Sequence, residues 1–184
     1  MHKDDDAALV NDCKRGDRRA MSQLVSRYQR PVFNAAYRIL GNTEDAADTT
    51  QTVFLKAFEH ISDFDQKFKF FSWVYRIAIN ESLNQVKKRH KQEPLDDRQA
   101  SPWRSPAQEL ESERLCNRVQ AALMLLSEEY RTVVVLKHIT GCSYHQISEI
   151  LQIPEKMVKS RLYSARQLMK KTLQDTANEH IGAA

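Results

Sequence analysis

Ser143-Tyr144-His145-Gln146-Ile147-Ser148-Glu149-Ile150-Leu151-Gln152-Ile153-Pro154-Glu155-Lys156-Met157-Val158-Lys159-Ser160-Arg161-Leu162-Tyr163-Ser164-Ala165-Arg166-Gln167-Leu168-Met169-Lys170-Lys171 decides the fold of this chain. It reads as a short helix, a tight turn and a longer basic helix, the outline of a helix-turn-helix. Ser143 can cap the first helix, and Ile147, Ile150 and Leu151 give it an apolar face. Gln152, Ile153 and Pro154 make the break, with Pro154 placed where a new helix loses no needed N–H. From Gln152 to Lys171 six basic side chains (Lys156, Lys159, Arg161, Arg166, Lys170, Lys171) stand against one acid, Glu155. Val158, Leu162, Ala165 and Leu168 or Met169 recur at core spacing, so one side of this helix suits a protein interior and the other suits phosphate. A plain amphipathic hairpin with a solvated basic face has the same pattern, and this stretch alone leaves both readings open.

The composition narrows the class. With 184 residues, 41% of them hydrophobic, the chain can build one core or two small ones, and two small helical domains are expected. Four glycines and scarcely any strand-like alternation outside Thr132–Lys137 predict an all-α protein. A net charge of +4 is too small for a polybasic coat, while a pI near 9.0 fits clustered basic residues. Cys13, Cys116 and Cys142 are odd in number and widely spaced, without Cys-x-x-Cys or a nearby His pair, which points to reduced thiols rather than disulfides or a metal site. Asp4, Asp5 and Asp6 stand where a signal segment would be basic and apolar, and no apolar run has the length of a membrane span. A cytoplasmic protein without direct membrane insertion is therefore expected. There is no Gly-rich phosphate loop, no metal-spaced His or Cys set and no Gly-x-Ser-x-Gly turn, and His138, His145 and His180 are scattered, so neither an enzyme nor a cofactor is expected.

Along the chain, the pattern predicts a first helix ending near Gly16, a second from about Arg18 to Leu40 stopped by Gly41-Asn42, and a third opened by Thr43 with Glu44 and Asp45 in its first turn. After a break over residues 62–67, a fourth helix should run from about Phe70 to Lys88 or beyond, ending in Lys87-Lys88-Arg89-His90-Lys91. The expected division is a first domain over residues 1–90, a flexible linker over 91–112 and a second domain over 113–184. The linker assignment rests on Pro94, Pro102 and Pro106, five acids and the loss of apolar periodicity. Its 22 residues could extend to about 73 Å at roughly 3.3 Å each.

Two constellations in the first domain carry chemistry. In the third helix Val53, Phe54, Ala57, Phe58 and Ile61 form a stripe for burial, leaving Asp48, Gln51, Thr52, Leu55 and Glu59 on another face. An exposed Leu among polar residues suits a partner surface, and equally a solvated face with one stray Leu. The segment Phe64-Asp65-Gln66-Lys67-Phe68-Lys69-Phe70-Phe71-Ser72-Trp73-Val74-Tyr75-Arg76 packs six aromatics among basic side chains in thirteen positions, in a chain that is 8% aromatic. Rings interleaved with cations suit single-stranded nucleic acid, whose unpaired bases stack while the backbone attracts positive charge. Phe71, Trp73 or Val74, and Ile77 also suit the core, and for at least half of the aromatics burial in the core is the expected state.

Taken together, Trp73-Val74-Tyr75-Arg76-Ile77-Ala78-Ile79-Asn80, the upstream Asp48-x-x-Gln51-x-x-Phe54 helix, and Val158-Lys159-Ser160-Arg161 preceded by Leu126-Ser127-Glu128-Glu129-Tyr130-Arg131 resemble a bacterial sigma factor of the extracytoplasmic-function group, in the sigma-70 family. The resemblance covers nearly the whole chain, with three motifs in the right order. It implies two helical domains, corresponding to sigma regions 2 and 4, that bring RNA polymerase core to promoters. The first would bind the clamp helices of the largest polymerase subunit and recognise and melt the minus-ten element; the second would read the minus-thirty-five element. It also implies promoter DNA as a partner in double- and single-stranded form, and control by an anti-sigma factor in a stress or envelope response.

Carried over by residue, the resemblance implies polymerase binding through Asp48, Gln51, Thr52 and Leu55. It assigns minus-ten DNA to Asp63, Phe64, Asp65, Gln66, Lys67, Lys69, Trp73, Arg76 and Asn80, with Phe64 as a stacking ring and Asn80 as a hydrogen-bonding group for a flipped base. It assigns minus-thirty-five DNA to Ser143, Tyr144, Lys156, Lys159, Ser160, Arg161, Tyr163 and Arg166, where Arg or Lys suits guanine edges and phosphates. The basic end from Lys87 to Lys91 would lie near upstream DNA backbone. The chain departs from the family pattern at Ala46-Ala47-Asp48-Thr49-Thr50-Gln51, which lacks an acid and two apolar side chains, a change expected to alter the polymerase contact. Met157 replaces a capping Thr, Ser164 a basic residue, Gln146 a Glu and Ser148 an Ala. A helix-turn-helix repressor or a response-regulator output domain would account only for the second half. An initiation factor accounts for both halves and for a linker able to span two B-DNA turns, about 70 Å.

Overall fold

The computed structural model describes the backbone of residues 3–92 and 111–181, and the side chains of residues 6–89 and 114–174. Most of the expected linker, with Pro94, Pro102 and Pro106, lies outside the described residues, as do the side chains of His90, Lys91 and His180. The fold is two helical units joined by that linker, and no strand occurs among the described residues. The first unit holds α1 (Lys3–Lys14), α2 (Arg18–Leu40), α3 (Thr43–Glu59), a single 3₁₀ turn at Ile61–Asp63 and α4 (Phe70–Gln92). The second holds α5 (Glu111–Met124), α6 (Glu128–Val134), a π-helical turn at Val135–Ile139, α7 (Tyr144–Leu151) and α8 (Glu155–Ile181). The β-branched run at Thr132–Lys137 is thus helical, its side chains buried from Arg131 to Leu136.

Local chemistry sets these boundaries. Asp17 accepts a hydrogen bond from Arg19 N at 2.7 Å and opens α2, and the helix runs on through Pro31. Gly41, at φ +69°, closes it by donating to Tyr37 O at 2.8 Å, a left-handed cap that a side chain would strain. Asn42 then accepts from Asp45 N at 2.9 Å to open α3.

The first unit buries α2, α3 and α4 on one another through Leu24, Val32, Ile39, Val53, Phe54, Val74 and Ile79. Polar ties fix the register: Lys56 to Glu81 at 2.7 Å across α3 and α4, Arg89 with Asp45 across the same pair, and Asp6 with Arg27 and Tyr28 across α1 and α2. Thr49 and Thr50 are buried, and Thr50 Oγ1 donates to Ala46 O at 2.6 Å. The two threonines that replace apolar family residues therefore face the core, so that part of the departure concerns packing and not the exposed face of α3. In the second unit Val133, Leu136, Ile147, Ile150, Val158, Leu162 and Ala165 close the core. The buried residues of both units join into one apolar cluster.

Candidate nucleic-acid and partner interface

On α3 the side chains of Asp48, Gln51 and Leu55 point to solvent and Thr52 is half-buried, opposite Val53, Phe54 and Ala57. Leu55 is 64% exposed, a large apolar group that the fold does not use.

The segment between the 3₁₀ turn and α4 is held by its neighbours. Lys14 Nζ donates to Phe64 O at 2.8 Å and to Ser62 O at 3.2 Å, Lys67 N donates to Asp65 Oδ1 at 3.0 Å, and Gln66 donates to Asn11. Asp63, Asp65, Gln66, Lys67 and Lys69 are exposed, as is Asn80 on α4. Phe64, expected to stack on a base, is instead 5% exposed and packs edge-on to Phe70 at 5.8 Å and tilted on Trp73 at 5.2 Å. It follows the 3₁₀ turn directly, and burying so large a ring against two others outweighs presenting it to water. Trp73 is half-buried in the same cluster. Phe68, 50% exposed between Lys67 and Lys69, is the loop's one ring available for stacking, and sequence reasoning left it out. No spacing rule separates Phe64 from Phe68, because both lie in a loop without periodicity.

In the second unit, Ser143 accepts from Gln146 N at 3.1 Å while Gln146 Oε1 accepts from Ser143 N at 2.8 Å, a complete capping box at the start of α7. Ser143 is thus occupied as a cap, and Gln146 serves where the family has Glu. Gln152, at φ 54°, turns the chain, and Pro154 O accepts from Met157 N and Val158 N to begin α8. Along α8, Val158, Leu162 and Ala165 are at most 1% exposed, while Lys156, Lys159, Ser160, Tyr163 and Arg166 are exposed. Tyr144 lies beneath two ammonium groups, Lys137 Nζ at 4.8 Å and Lys159 Nζ at 5.7 Å from its ring, and so steadies one edge of this face. Arg161, expected on DNA, is only 21% exposed at its side chain and pairs with Glu129 at 2.9 Å. His138 lies 3.4 Å from Arg166, and burial, with the cations of Arg166 and Lys137, holds its imidazole below the ordinary histidine range.

The residues expected on two separate DNA elements are partly brought together. Arg76, Asn80 and Lys87 of α4 line one cleft of about 380 Å³ with Glu128, Glu129, Gln152 and Arg161 of the second unit. Lys67, Phe68 and Lys69 line another of about 410 Å³ with Ser143, His145, Gln146 and Glu149. Between the two clefts, Arg76 donates to Glu149 O at 2.6 Å. Among the described residues no cluster of His, Cys, Asp and Glu could hold a metal, and no helix is long and apolar enough to cross a membrane. Cys13 and Cys142 are buried and Cys116 is exposed, all as free thiols.

The chain is similar in sequence and fold to known proteins. Residues 24–92 match the family model for sigma-70 region 2, and residues 116–169 match that for sigma-70 region 4. The chain is 33% identical to the ECF RNA polymerase sigma factor SigW of Bacillus subtilis over 178 residues, covering 90% of this chain and 95% of that protein. It is 30% identical to the RNA polymerase sigma-H factor of Pseudomonas aeruginosa, covering 97% of this chain and 99% of that one. Its fold matches CnrH, solved in complex with the cytosolic domain of CnrY, with a TM-score of 0.74 at 26% identity over 93% of this chain and 98% of that one. A further likeness in fold, with a TM-score of 0.67 at 21% identity over 83% of this chain and 96% of that one, is to the sigma factor RpoE of Bartonella quintana, solved with the anti-sigma factor NepR. Two regions in family order, on a fold that sets an unused Leu on α3 and a basic face on α8, establish that the chain belongs to the extracytoplasmic-function sigma factors of the sigma-70 family.

Proposed function

We propose that the chain binds RNA polymerase core through Asp48, Gln51, Thr52 and Leu55 on α3 and directs initiation at promoters that its two units select. Residues 1–90 act on the minus-ten element, residues 113–184 on the minus-thirty-five element, and residues 91–112 join them. The observation that carries the reading is the division of α8: its apolar residues are sealed in the core while Lys156, Lys159, Ser160 and Tyr163 form one exposed face at helical spacing. That face fits a major groove, with cations for phosphates and guanine edges. Single-stranded minus-ten DNA is assigned to Asn80, Arg76, Lys67, Lys69 and the half-buried Trp73, with Phe68 as the stacking ring in place of Phe64. Asp63, Asp65 and Gln66 hold and flank that loop. The chain works as a cytoplasmic binding factor with no catalytic group of its own. A protein partner of the anti-sigma kind is supported by the likeness to CnrH, which was solved with a cytosolic partner domain.

The test is run-off transcription from a genomic promoter library with purified core polymerase, alone and with the chain. The expected result is a set of transcripts dependent on the chain. Asp48→Arg combined with Leu55→Arg should abolish them and the co-purification of core, with an unchanged circular dichroism spectrum. Wild-type core binding by the folded double variant would refute the α3 assignment.

A further inference from the structure

The π-helical turn at Val135–Ile139 carries a group that the DNA contacts proposed above leave out. Its wide winding, closed by Thr140 N donating to Val135 O at 3.1 Å, leaves Lys137 half-buried and His138 exposed beside α8. Lys137 is held in place, since its Nζ donates to Cys142 O at 3.1 Å and lies over the Tyr144 ring that Lys159 also approaches. His138 meets α8 directly, with Arg166 Nη2 3.4 Å from its Nε2. Lys159, Tyr163 and Arg166, four and three residues apart, make one exposed stripe of α8. His138 stands at the end of that stripe and, with Lys137 and Tyr144, joins it to α7.

An imidazole in this place is a conditional cation. The charges that act on it are Lys137 on its own turn and Arg166 across on α8; among the described residues none from α2, α6 or α7, which also pack on the turn, offsets them. Burial first, then those two cations, keep the ring neutral at ordinary pH, and a neutral ring can accept at Nε2 the hydrogen bond that Arg166 offers. A phosphate brought up to Arg166 reverses the balance. Its negative charge offsets the two cations and favours the charged ring, whose Nε2 then becomes a donor and shares the phosphate oxygens with Arg166.

We propose that His138 is a DNA-backbone contact of the second unit that engages the minus-thirty-five element as an imidazolium, so that promoter binding takes up a proton. This role rests on the assignment of α8 to that element. Because phosphate favours the charged ring, the bound complex keeps the proton to higher pH than the free chain does. Affinity is therefore level above both titrations, rises as pH falls between them by at most roughly tenfold per pH unit for one proton, and is level again below both. The lysines and arginines of the face stay charged throughout that range, so the response belongs to His138.

The experiment uses polymerase core reconstituted with the full chain, on a fluorescent duplex promoter recovered by run-off transcription. Its dissociation constant is measured from about pH 8 to about pH 6 at fixed ionic strength. His138→Gln keeps a neutral hydrogen-bonding group beside Arg166 and does not titrate, whereas His138→Arg is charged at every pH. The wild type should match His138→Gln at the alkaline end and bind about threefold or more tightly than it at the acid end. His138→Arg should already have the acid-end affinity of the wild type at about pH 8 and gain no more with acid than His138→Gln does. Calorimetry in buffers of different ionisation enthalpy should show the proton uptake of the wild type and its loss in both variants, with unchanged circular dichroism and thermal melting because the ring is exposed. Parallel pH profiles for the wild type and His138→Gln, or equal proton uptake, would overturn the contact. Lys159→Ala separates that result from failure of the α8 assignment. If it weakens binding at every pH while those profiles stay parallel, α8 still reads DNA and only His138 is removed; if it binds as the wild type does, the α8 assignment falls and the role of His138 with it.

Discussion

Replacing Arg131 by Met tests the energetics of the second unit most directly. One guanidinium donates to Ile39 O at 2.7 Å, Met124 O at 2.9 Å, and Leu123 O and Leu126 O at 3.0 Å. Three of these carbonyls belong to the turn from α5 to α6, which Arg131 holds as a brace; the fourth ends α2. Hydrogen bonds to a charged group are worth about 1.5–3 kcal/mol each, so the set is worth at least about 6 kcal/mol before costs. Against that stands the burial of a charge whose partners are backbone carbonyls. Burial pulls the guanidinium below the ordinary arginine range and Glu128 pushes it back, and the penalty for such a group is several kcal/mol. Met has a similar length and needs no desolvation, but it leaves the carbonyls for water to find. The balance is a loss of about 3 kcal/mol, which for a unit of this size lowers Tm by roughly 12–24 °C. Arg131→Lys should fall between, because an ammonium lacks the planar fork that reaches carbonyls on several sides. Differential scanning calorimetry of the wild type and both variants measures the effect. A Met variant melting within about 2 °C of wild type would refute the brace.

Phe64→Ala should destabilise the first unit by about 3–5 kcal/mol in chemical denaturation, since it empties the Phe64–Phe70–Trp73 cluster, whereas Phe68→Ala should leave stability within about 0.5 kcal/mol. Phe68→Ala should still cost promoter melting, read by permanganate reactivity, through the loss of roughly 1–3 kcal/mol of stacking; normal melting would remove Phe68 from the site. Lys156→Ala and Lys159→Ala should each weaken protection of the upstream element in footprinting, by up to about 1–3 kcal/mol where a base contact is bidentate, and unchanged footprints in both would sink the assignment of α8. Ser143→Ala breaks the capping box and should cost about 1 kcal/mol of second-unit stability, visible as a lower denaturation midpoint at unchanged slope.

What the sequence determined by itself was local. Gly41, Asn42, Ser143 and Pro154 bound helices because caps and breaks act within a turn of their own backbone, and Val158, Leu162 and Ala165 are core because a helix fixes which residues share a face. The same periodicity put Asp48, Gln51 and Leu55 on one exposed face of α3. Three things required the tertiary structure. In the aperiodic loop, burial chose Phe64 for the core and left Phe68 outside, a choice made by Phe70 and Trp73 and not by neighbours in sequence. Thr49 and Thr50 departed from the family pattern on the buried side of α3, where their effect falls on packing. The third was the seating of α6 and α7 on α2 and α4, through Arg131 to Ile39 and Arg76 to Glu149. Those bonds join residues 92 and 73 positions apart and end on backbone carbonyls, which every residue carries, so no side-chain pattern could have announced them.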